Sequence, residues 1–472
     1  MTALLSRRHV ILALAAVALV LVTYPRFAWS LRPEHFFKAD DWDWLSNAAL
    51  LRVPGYASLW PRWIYNDRPA GALLITAVYR LAGLDNVVFH GVWVAIHLLN
   101  TLLVFAAGLR LFRSIPLAWV AACAFGNWSS STEAVIWVAA VFDLLLGTFI
   151  LASVLTFLSE RTWVRALSPI FYFLAMRTKE SALLLPVLLL IFVLLSVSRK
   201  SWLSECFHRL KWHFSLMGLF IASYGYFFAT QYVGSTQPDH PYFLKFDLLT
   251  FIRGLAFYLR SMLYRQGRIP VLVLGVGAAL LVALVVAKRG KPVVIGAAGF
   301  LLFLFPVIFL PNHRYGFYLY APSAFFAISW VGLAREAAEL IRWPRVRAPL
   351  AAAVALGFFL ALPHRTAARQ MADWALEQTA RYRQQYWQFR WRYPVLSQGA
   401  MIVLVGFPRN DSAFDPGPCN SLKAAYRDDS ISCVMLKAGD PVPPMQPARQ
   451  DAIYVVLQSG RLEFPQTIPS TP

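Results

Sequence analysis

The feature that most constrains the fold of this chain is the recurrence of long apolar stretches. A membrane-spanning helix needs about 20 mainly apolar residues, and about eleven stretches approach that length. They lie at residues 9–29, 88–109, 114–130, 134–158, 163–177, 181–198, 213–232, 269–287, 292–310, 316–334 and 348–362, of which 114–130 and 163–177 are short. Hydrophobic residues make up 58% of the 472 residues and charged residues only 14%, against roughly a quarter charged in soluble domains. The sequence therefore predicts an all-α polytopic membrane protein with about 11 transmembrane helices.

The distribution of charge predicts how the chain is oriented in the membrane. With a cytoplasmic N-terminus, residues 1–8, 110–113, 159–165, 199–212, 288–291 and 335–347 face the cytoplasm and hold 17 Lys and Arg but four acidic residues. The segments on the other side before residue 362 hold ten acidic residues. This asymmetry is the positive-inside pattern. It accounts for the net charge of +20 without a nucleic-acid partner, and it places the C-terminus outside the cytoplasm. The location that we predict is a bacterial inner membrane.

The chain divides into two predicted domains at residue 362. Residues 1–362 form the transmembrane domain, with two long outer segments, 30–87 and 233–268, which are predicted to carry surface-lying amphipathic helices. Residues 363–472 begin with a polar helix at 364–392, followed by β-like runs at 401–407, 431–436 and 452–457. The tail is therefore predicted to be a helix followed by a small α/β or mainly β extracytoplasmic domain.

An acidic segment, FFKADDWDWL at 36–45, follows the first apolar stretch and carries Asp40, Asp41 and Asp43. Carboxylates that are this close raise one another's pKa. The segment is either a solvated acidic turn or the place of a general base or a metal-binding pair. Adjacent residues on a helix point about 100° apart, so Asp40 and Asp41 are expected to do different jobs.

Further charged groups lie near the same membrane face or within the apolar stretches. Each has a structural alternative: Asn66 or Asp67 can cap a helix before Arg68 and Pro69, basic side chains can anchor loops at the interface, and His97 is more readily explained as an interhelical hydrogen-bonding group than as a catalytic one. Ionisable residues at membrane depth are nevertheless functional candidates by default. The candidates are Arg68, Glu133, Asp143, Lys179, His313 and Arg314.

Several common catalytic motifs are absent from the sequence. There is no Walker A motif, no GxGxxG after a strand, no HExxH and no GxSxG. ATP-driven transport, dinucleotide chemistry and zinc proteolysis therefore lack sequence support.

Six short motifs follow one another along the chain. They are ADDW at 39–42, DRPAGALLITAVYRLAGLDNVVFH at 67–90, IHLLNTLLVF at 96–105, STEAVIWVAAVFDLLLG at 131–147, TKESALLLP at 178–186 and RYGFYLYAPS at 314–323. Together they resemble the GT-C superfamily of integral-membrane glycosyltransferases, and among these the protein O-mannosyltransferase-like branch. The resemblance covers about residues 36–335, without tetratricopeptide repeats. Asp41 stands where many relatives have Glu, and Val141 stands where an Arg is common.

The resemblance implies a GT-C-like fold and inverting transfer of a sugar from a polyprenyl-phosphate donor at the extracytoplasmic face. The acceptor would be a protein hydroxyl, a glycolipid or a polysaccharide. Asp40 is the first candidate for the general base and Asp41 the second. Arg68, Lys179 and Arg314 are candidates for the donor phosphate, and Glu133, Asp143 and His313 for acceptor or supporting contacts. No cofactor is assigned, although Asp40 and Asp41 leave a divalent metal open.

Two competing functions use the same residues without chemistry. A lipid or polysaccharide-intermediate transporter would spread charges through the membrane core and show related halves, whereas here the charges crowd at one face. A structural membrane subunit would tolerate replacement of its outer acids. The sugar, the acceptor and the length of the lipid carrier are not encoded in any recognisable pattern.

The cysteines give a further prediction. Cys419 and Cys433 are the only cysteines of the tail, whereas Cys123 and Cys206 fall in an apolar stretch and in a cytoplasmic segment. Disulfides form outside the cytoplasm. The predicted orientation therefore favours a Cys419–Cys433 bond, with two free thiols as the alternative.

Overall fold

The computed structural model describes residues 7–51, 68–231, 237–263, 290–362, 364–407, 413–414, 419–436, 452–458 and 461–465. Helices dominate it. The transmembrane part contains α1 Arg7–Phe27, α2 Asp41–Ala49, α3 Pro69–Ala82, α4 Asn86–Phe112, α5 Ile115–Asn127, α6 Thr132–Ile136, α7 Val141–Phe157, α8 Thr162–Arg165, α9 Ser168–Met176, α10 Leu185–Ser196, α11 Trp202–Gln231, α12 Leu248–Leu263, α13 Lys291–Ile308, α14 Tyr320–Ala338 and α15 Pro344–Ala361. Short 3₁₀ turns at Ala28–Leu31, Ser129–Ser131, Val138–Ala140, Glu180–Leu184, Arg199–Ser201 and Gly316–Leu319 join some of these helices.

Six helical segments of the described chain are long and apolar enough to cross a membrane. They are Arg7–Leu31, Asn86–Phe112, Val138–Phe157, Lys291–Ile308, Gly316–Ala338 and Pro344–Ala361, and three shorter apolar helices accompany them at Pro69–Ala82, Ile115–Asn127 and Glu180–Ser196. The predicted fold class, a helical polytopic membrane protein with a small β-containing C-terminal region, is confirmed. The count of eleven spans stays a prediction, and its stretch at 269–287 lies outside the described residues.

The stretch predicted at 163–177 is two helices rather than one. α8 ends at Arg165 and α9 begins at Ser168. Pro169 lies in the first turn of α9, where the missing N–H of proline costs no helical hydrogen bond. Ser168 Oγ lies 2.9 Å from His213 Nε2 of α11. The break therefore gives a polar contact between helices.

Polar side chains join helices inside the bundle. His97 lies with Nδ1 2.8 Å from the Tyr320 hydroxyl and Nε2 3.0 Å from the Gly126 carbonyl oxygen. Asn100 donates to the Leu144 carbonyl oxygen at 2.9 Å. These contacts give His97 the interhelical role that was expected, because a buried polar group in apolar surroundings needs partners.

The C-terminal region contains α16 His364–Arg392, β1 Met401–Val405, α17 Asn420–Tyr426, β2 Ser432–Leu436, β3 Ala452–Gln458 and β4 Arg461–Glu463. The strands form one sheet in the order β2-β1-β3-β4, with β1 parallel to both β2 and β3 and with β4 antiparallel to β3. α17 provides the crossover that parallel pairing of β1 and β2 requires. Cys419 and Cys433 are joined by a disulfide between the start of α17 and β2.

This C-terminal region packs against the acidic segment near the start of the chain. α17 packs on α2, and Asn420 Nδ2 donates to Asp43 Oδ1. On α16, Thr379 Oγ1 donates to the Glu34 carbonyl oxygen at 3.0 Å, and the Tyr386 ring stacks on Trp42 at 5.7 Å. The acidic segment is thus enclosed by residues from both ends of the sequence.

Candidate active site

The acidic segment turns sharply immediately before α2. Ala39 has a φ of +46°, in the left-handed region that side chains other than glycine rarely adopt. Asp40 follows as the residue that precedes α2, and it is exposed to solvent. Within the described chain its carboxylate accepts no hydrogen bond, although the protein atoms around it raise the pKa of Asp40 by desolvation. Such strain is characteristic of functional turns, and the turn presents an uncommitted carboxylate.

Asp41 is buried and has a different environment. It is 2% exposed. Its Oδ2 accepts the backbone N–H of Lys38 at 2.9 Å, and its Oδ1 accepts that of Ala139 at 2.6 Å. Burial raises the pKa of Asp41 to about 7, against the lowering effect of these two amides. Asp41 therefore ties the acidic turn to the chain before α7, and its surroundings differ from those of Asp40.

Lys38 directly precedes Ala39 in the turn, and it was not among the predicted site residues. It is 9% exposed, and its Nζ lies 4.4 Å from the centre of the Trp374 ring. Burial lowers the pKa of Lys38, while the carboxylates of Asp41 and Glu133 oppose that effect. Lys38 thus supplies positive charge between two acidic groups that belong to separate motifs.

Glu133 joins the STEAV motif to the segment before α14. Its Oε2 accepts the backbone N–H of Phe317 at 3.1 Å. A Cβ on Gly316 would lie 3.0 Å from the same oxygen, so a glycine at this position permits the close approach. Burial raises the pKa of Glu133, and Lys38 opposes the shift. Glu133 therefore has a supporting position between two motifs.

Lys179 and Asp143 form a buried ion pair. Lys179 Nζ lies 2.7 Å from each oxygen of the Asp143 carboxylate, and the residues are 2% and 4% exposed. The Tyr318 ring lies 4.4 Å from Lys179 Nζ. Two charges in apolar surroundings are tolerated when they are paired and hydrogen-bonded. Lys179 consequently has a carboxylate partner in this structure.

Arg68 lies beside this pair with an acidic partner of its own. Arg68 Nη2 lies 3.1 Å from Glu180 Oε2, and the Ala70 N–H donates to the Arg177 carbonyl oxygen at 3.2 Å. A Cβ on Gly71 would lie 2.3 Å from the Phe142 ring, so only glycine lets α3 approach α7 this closely. The motifs around Arg68, Asp143 and Lys179 therefore meet, while Asp67 lies outside the described residues.

Arg314 lies near the basic side chains of α12. Arg253, Arg260 and Tyr258 of α12 are the groups that influence its charge, and burial lowers the pKa of Arg314. Its Nε is buried and has no hydrogen-bond acceptor among the described residues. The three predicted phosphate ligands thus divide into a paired cluster and one arginine with an open donor.

His313 lies between these two groups. Its ring centre lies 4.4 Å from that of Tyr242 and 5.8 Å from that of Tyr318. Burial, together with the positive charges of Lys179 and Arg68, lowers the pKa of His313 to about 4. A neutral imidazole at this position can donate or accept a hydrogen bond without adding charge.

The oxygens of the adjacent acids differ in their partners. Each oxygen of Asp41 accepts an amide hydrogen bond. The described residues contain no cluster of three or more His, Cys, Asp or Glu side chains that could hold a metal ion.

Comparisons with known proteins give a similarity to a solved structure, without a match to a protein family or to a curated protein. No protein-family model matches the chain, and no curated protein matches it. Among solved structures, the chain is similar to ArnT from Cupriavidus metallidurans bound to undecaprenyl phosphate, with 14% identity and a TM-score of 0.44 over 90% of this chain and 86% of that one. Those values are too low to assign an activity to this chain.

Proposed function

We propose that this chain is a membrane glycosyltransferase of the GT-C type, which transfers a sugar from a polyprenyl-phosphate donor to an acceptor hydroxyl. The observation that carries the proposal is the exposed carboxylate of Asp40 on a strained turn. The buried Asp41 holds that turn through two backbone amides. A carboxylate that accepts no hydrogen bond from the described chain, on an immobilised turn, is suited to general-base catalysis.

In the proposed reaction, the acceptor hydroxyl loses its proton to Asp40 as its oxygen attacks the anomeric carbon of the sugar. The bond between that carbon and the phosphate oxygen breaks, and the lipid phosphate departs with the bonding electron pair. Attack from the opposite side inverts the anomeric centre. Asp40 later releases the proton to water, so that protons and charge balance over the cycle.

The departing phosphate needs stabilisation by cations, because negative charge develops on it in the transition state. Arg314 supports this role, since it has a buried Nε with no acceptor in the described chain and lies near Arg253 and Arg260. Lys179 and Arg68 are paired with Asp143 and Glu180. We propose that these two residues contribute positive charge near the site through their ion pairs. They contact the donor phosphate only if the phosphate displaces a carboxylate partner.

The supporting groups connect the base to the cationic residues. Lys38 lies between Asp41 and Glu133, and Glu133 holds the backbone of Phe317. Glu133, Asp143 and His313 are assigned to supporting or acceptor contacts. The proposed topology places the N-terminus in the cytoplasm of a bacterial inner membrane and residues 363–472 outside it, with residues 1–362 as the catalytic domain.

The test is a transfer assay with purified protein in detergent, using a set of polyprenyl-phosphate sugars as donors and water-soluble and lipid-linked hydroxyl acceptors. Asp40→Asn is expected to keep the melting temperature of the parent and to lose about 10²–10⁴-fold in rate. Glu34→Gln, an exposed carboxyl two residues before the acidic segment, is the matched control and is expected to keep full activity. Full activity of Asp40→Asn would refute the assignment of the base.

A second outcome separates the enzyme from a carrier. The transferase proposal requires release of polyprenyl phosphate in equal amount to the glycosylated product. A lipid or polysaccharide-intermediate transporter would move the donor between leaflets of a proteoliposome without releasing that phosphate. Translocation without phosphate release would replace the enzymatic proposal.

A further inference from the structure

A groove of about 620 Å³ lies at one end of the helical bundle, beside the candidate active site but not lined by Asp40, Lys179 or Arg314. Its walls come from the end of α1, the end of α5, the end of α15 and the first turns of α16. The C-terminal end of α1 leads into the acidic segment, and that of α5 leads into the segment that carries Glu133. The groove therefore lies on the same side of the bundle as Asp40.

One wall of the groove is apolar and continues the surface that faces the bilayer. Val22, Phe359 and Leu360 belong to this wall. α1 and α15 are membrane-spanning candidates with large exposed hydrophobic side chains, including Leu14, Val17, Leu21, Val354 and Phe358. Apolar surface of this kind is covered by lipid chains in a membrane. The groove thus opens between two helices that contact lipid.

The remaining wall is basic. Arg26, Arg32 and Arg369 line it, and Asp373 is the acidic residue among the lining groups. Guanidinium groups bind phosphate through pairs of N–H donors and retain their charge at all physiological pH values. Three arginines against one carboxylate leave an excess of positive charge next to an apolar wall. That combination matches an amphiphile with an anionic headgroup better than a free inorganic anion.

We propose that this groove binds the phosphate headgroup of an acidic membrane lipid from the leaflet on the Asp40 side. The acyl chains lie along α1 and α15, and the headgroup lies among Arg26, Arg32 and Arg369. This binding is distinct from the binding of a sugar donor and does not depend on the proposed transferase reaction.

Arg26 also connects the groove to the helix that carries Glu133. Arg26 Nη2 donates to Thr132 Oγ1 at 3.3 Å, and Thr132 precedes Glu133 in the chain. The guanidinium group has five N–H donors, so the contact with Thr132 leaves donors that can face a phosphate in the groove.

The experiment measures lipid retention by native mass spectrometry of the full chain, extracted from nanodiscs of equimolar phosphatidylglycerol and phosphatidylcholine. The parent is expected to retain phosphatidylglycerol in preference. Arg32→Gln/Arg369→Gln is expected to lose at least about tenfold of that preference, because two charge-assisted contacts are removed. Arg381→Gln/Arg383→Gln, on the same helix but outside the lining of the groove, is the matched control.

A third variant tests the groove without changing its charge. Ala368→Trp fills part of the space and is expected to reduce lipid retention with all three arginines intact. Equal retention of both lipids by the parent, or parental retention in both groove variants, would overturn the proposal. Full displacement of phosphatidylglycerol by millimolar inorganic phosphate would also overturn it, since the site would then bind a free anion. No donor or transfer assay enters this measurement, so its failure is separate from a failure of the proposed function.

Discussion

Lys179 Nζ lies 2.7 Å from both carboxylate oxygens of Asp143, and both side chains are buried within the helical bundle. The pair joins two of the six motifs, 36 positions apart in the chain. Buried pairs of this kind cost desolvation energy, and removal of one partner leaves the other charge uncompensated. We therefore expect the buried pair to have a functional role, and substitutions can test this expectation.

Single substitutions of this pair are expected to be more harmful than a double substitution. Lys179→Met and Asp143→Leu each leave one buried charge, at a cost of about 3–5 kcal/mol. Lys179→Met/Asp143→Leu removes both charges and is expected to recover most of the thermal stability. Unfolding in detergent measures the coupling. If the double variant is no more stable than the singles, the two residues do not act as a pair.

The same double variant distinguishes a structural role of the Lys179–Asp143 pair from a role in sugar transfer. We expect it to fold but to show weaker transfer, because the positive potential near Tyr318 is lost with Lys179. If the double variant had the stability and the donor KM of the parent, the role of the pair would be structural only.

Arg314→Gln is expected to raise the donor KM by about tenfold or more, because it removes a charge-assisted contact to the lipid phosphate. The acceptor KM is expected to stay unchanged. Lys245→Gln, an exposed cation near α12, serves as the control. A change confined to the acceptor KM would contradict the placement of the phosphate at Arg314.

The contribution of Asp41 to the stability of the protein is expected to fall as the pH rises from about 4 to about 7. Burial raises the pKa of Asp41 from 3.8 to about 7, so in this window the folded state binds a proton that the unfolded state has released. The free energy of unfolding therefore decreases with pH through this group and levels off above the folded pKa.

Asp41→Asn is expected to remove this part of the pH dependence. It also loses one of the two amide hydrogen bonds, because an asparagine side chain offers a single oxygen, at a cost of about 1–3 kcal/mol. Melting temperatures of both proteins at pH 5 and pH 8 measure the effect. An identical slope in the parent and the variant would show that Asp41 does not titrate in this range.

Cys419→Ser/Cys433→Ser is expected to destabilise the C-terminal region by about 3 kcal/mol, since the disulfide closes a loop of about 15 residues. Limited proteolysis of that region should then become faster. Labelling of intact cells with a membrane-impermeant thiol reagent, with and without prior reduction, tests the bond in the cell. Labelling of both cysteines without reductant would show that the bond is absent there.

Much of the C-terminal region was predictable from local sequence pattern. The polar helix at 364–392 and three of the strands lie close to their predicted positions, because alternation of side chains and turn residues act over a few neighbouring residues. β4 was not predicted, since it is three residues long and only two residues separate it from β3 in the sequence.

The partners within the candidate site were not predictable in the same way. Lys38 Nζ contacts the ring of Trp374, a residue more than three hundred positions away in the sequence. The sequence placed Lys179 and Asp143 in different roles, because their contact exists only once α7 and the segment after α9 have packed. A charged residue next to an apolar stretch signals that a partner is needed but does not identify it.

The bond between Asn420 and Asp43 connects residues 377 positions apart. At a synthesis rate of about 5–20 residues per second, the ribosome needs on the order of 20–75 seconds to travel from one to the other. During that interval α2 already exists, but the surface that holds it has not been made. A chain that stops short of residue 420 therefore inserts its helices before Asn420 can reach Asp43, and the surface that covers α2 is completed only near the end of translation.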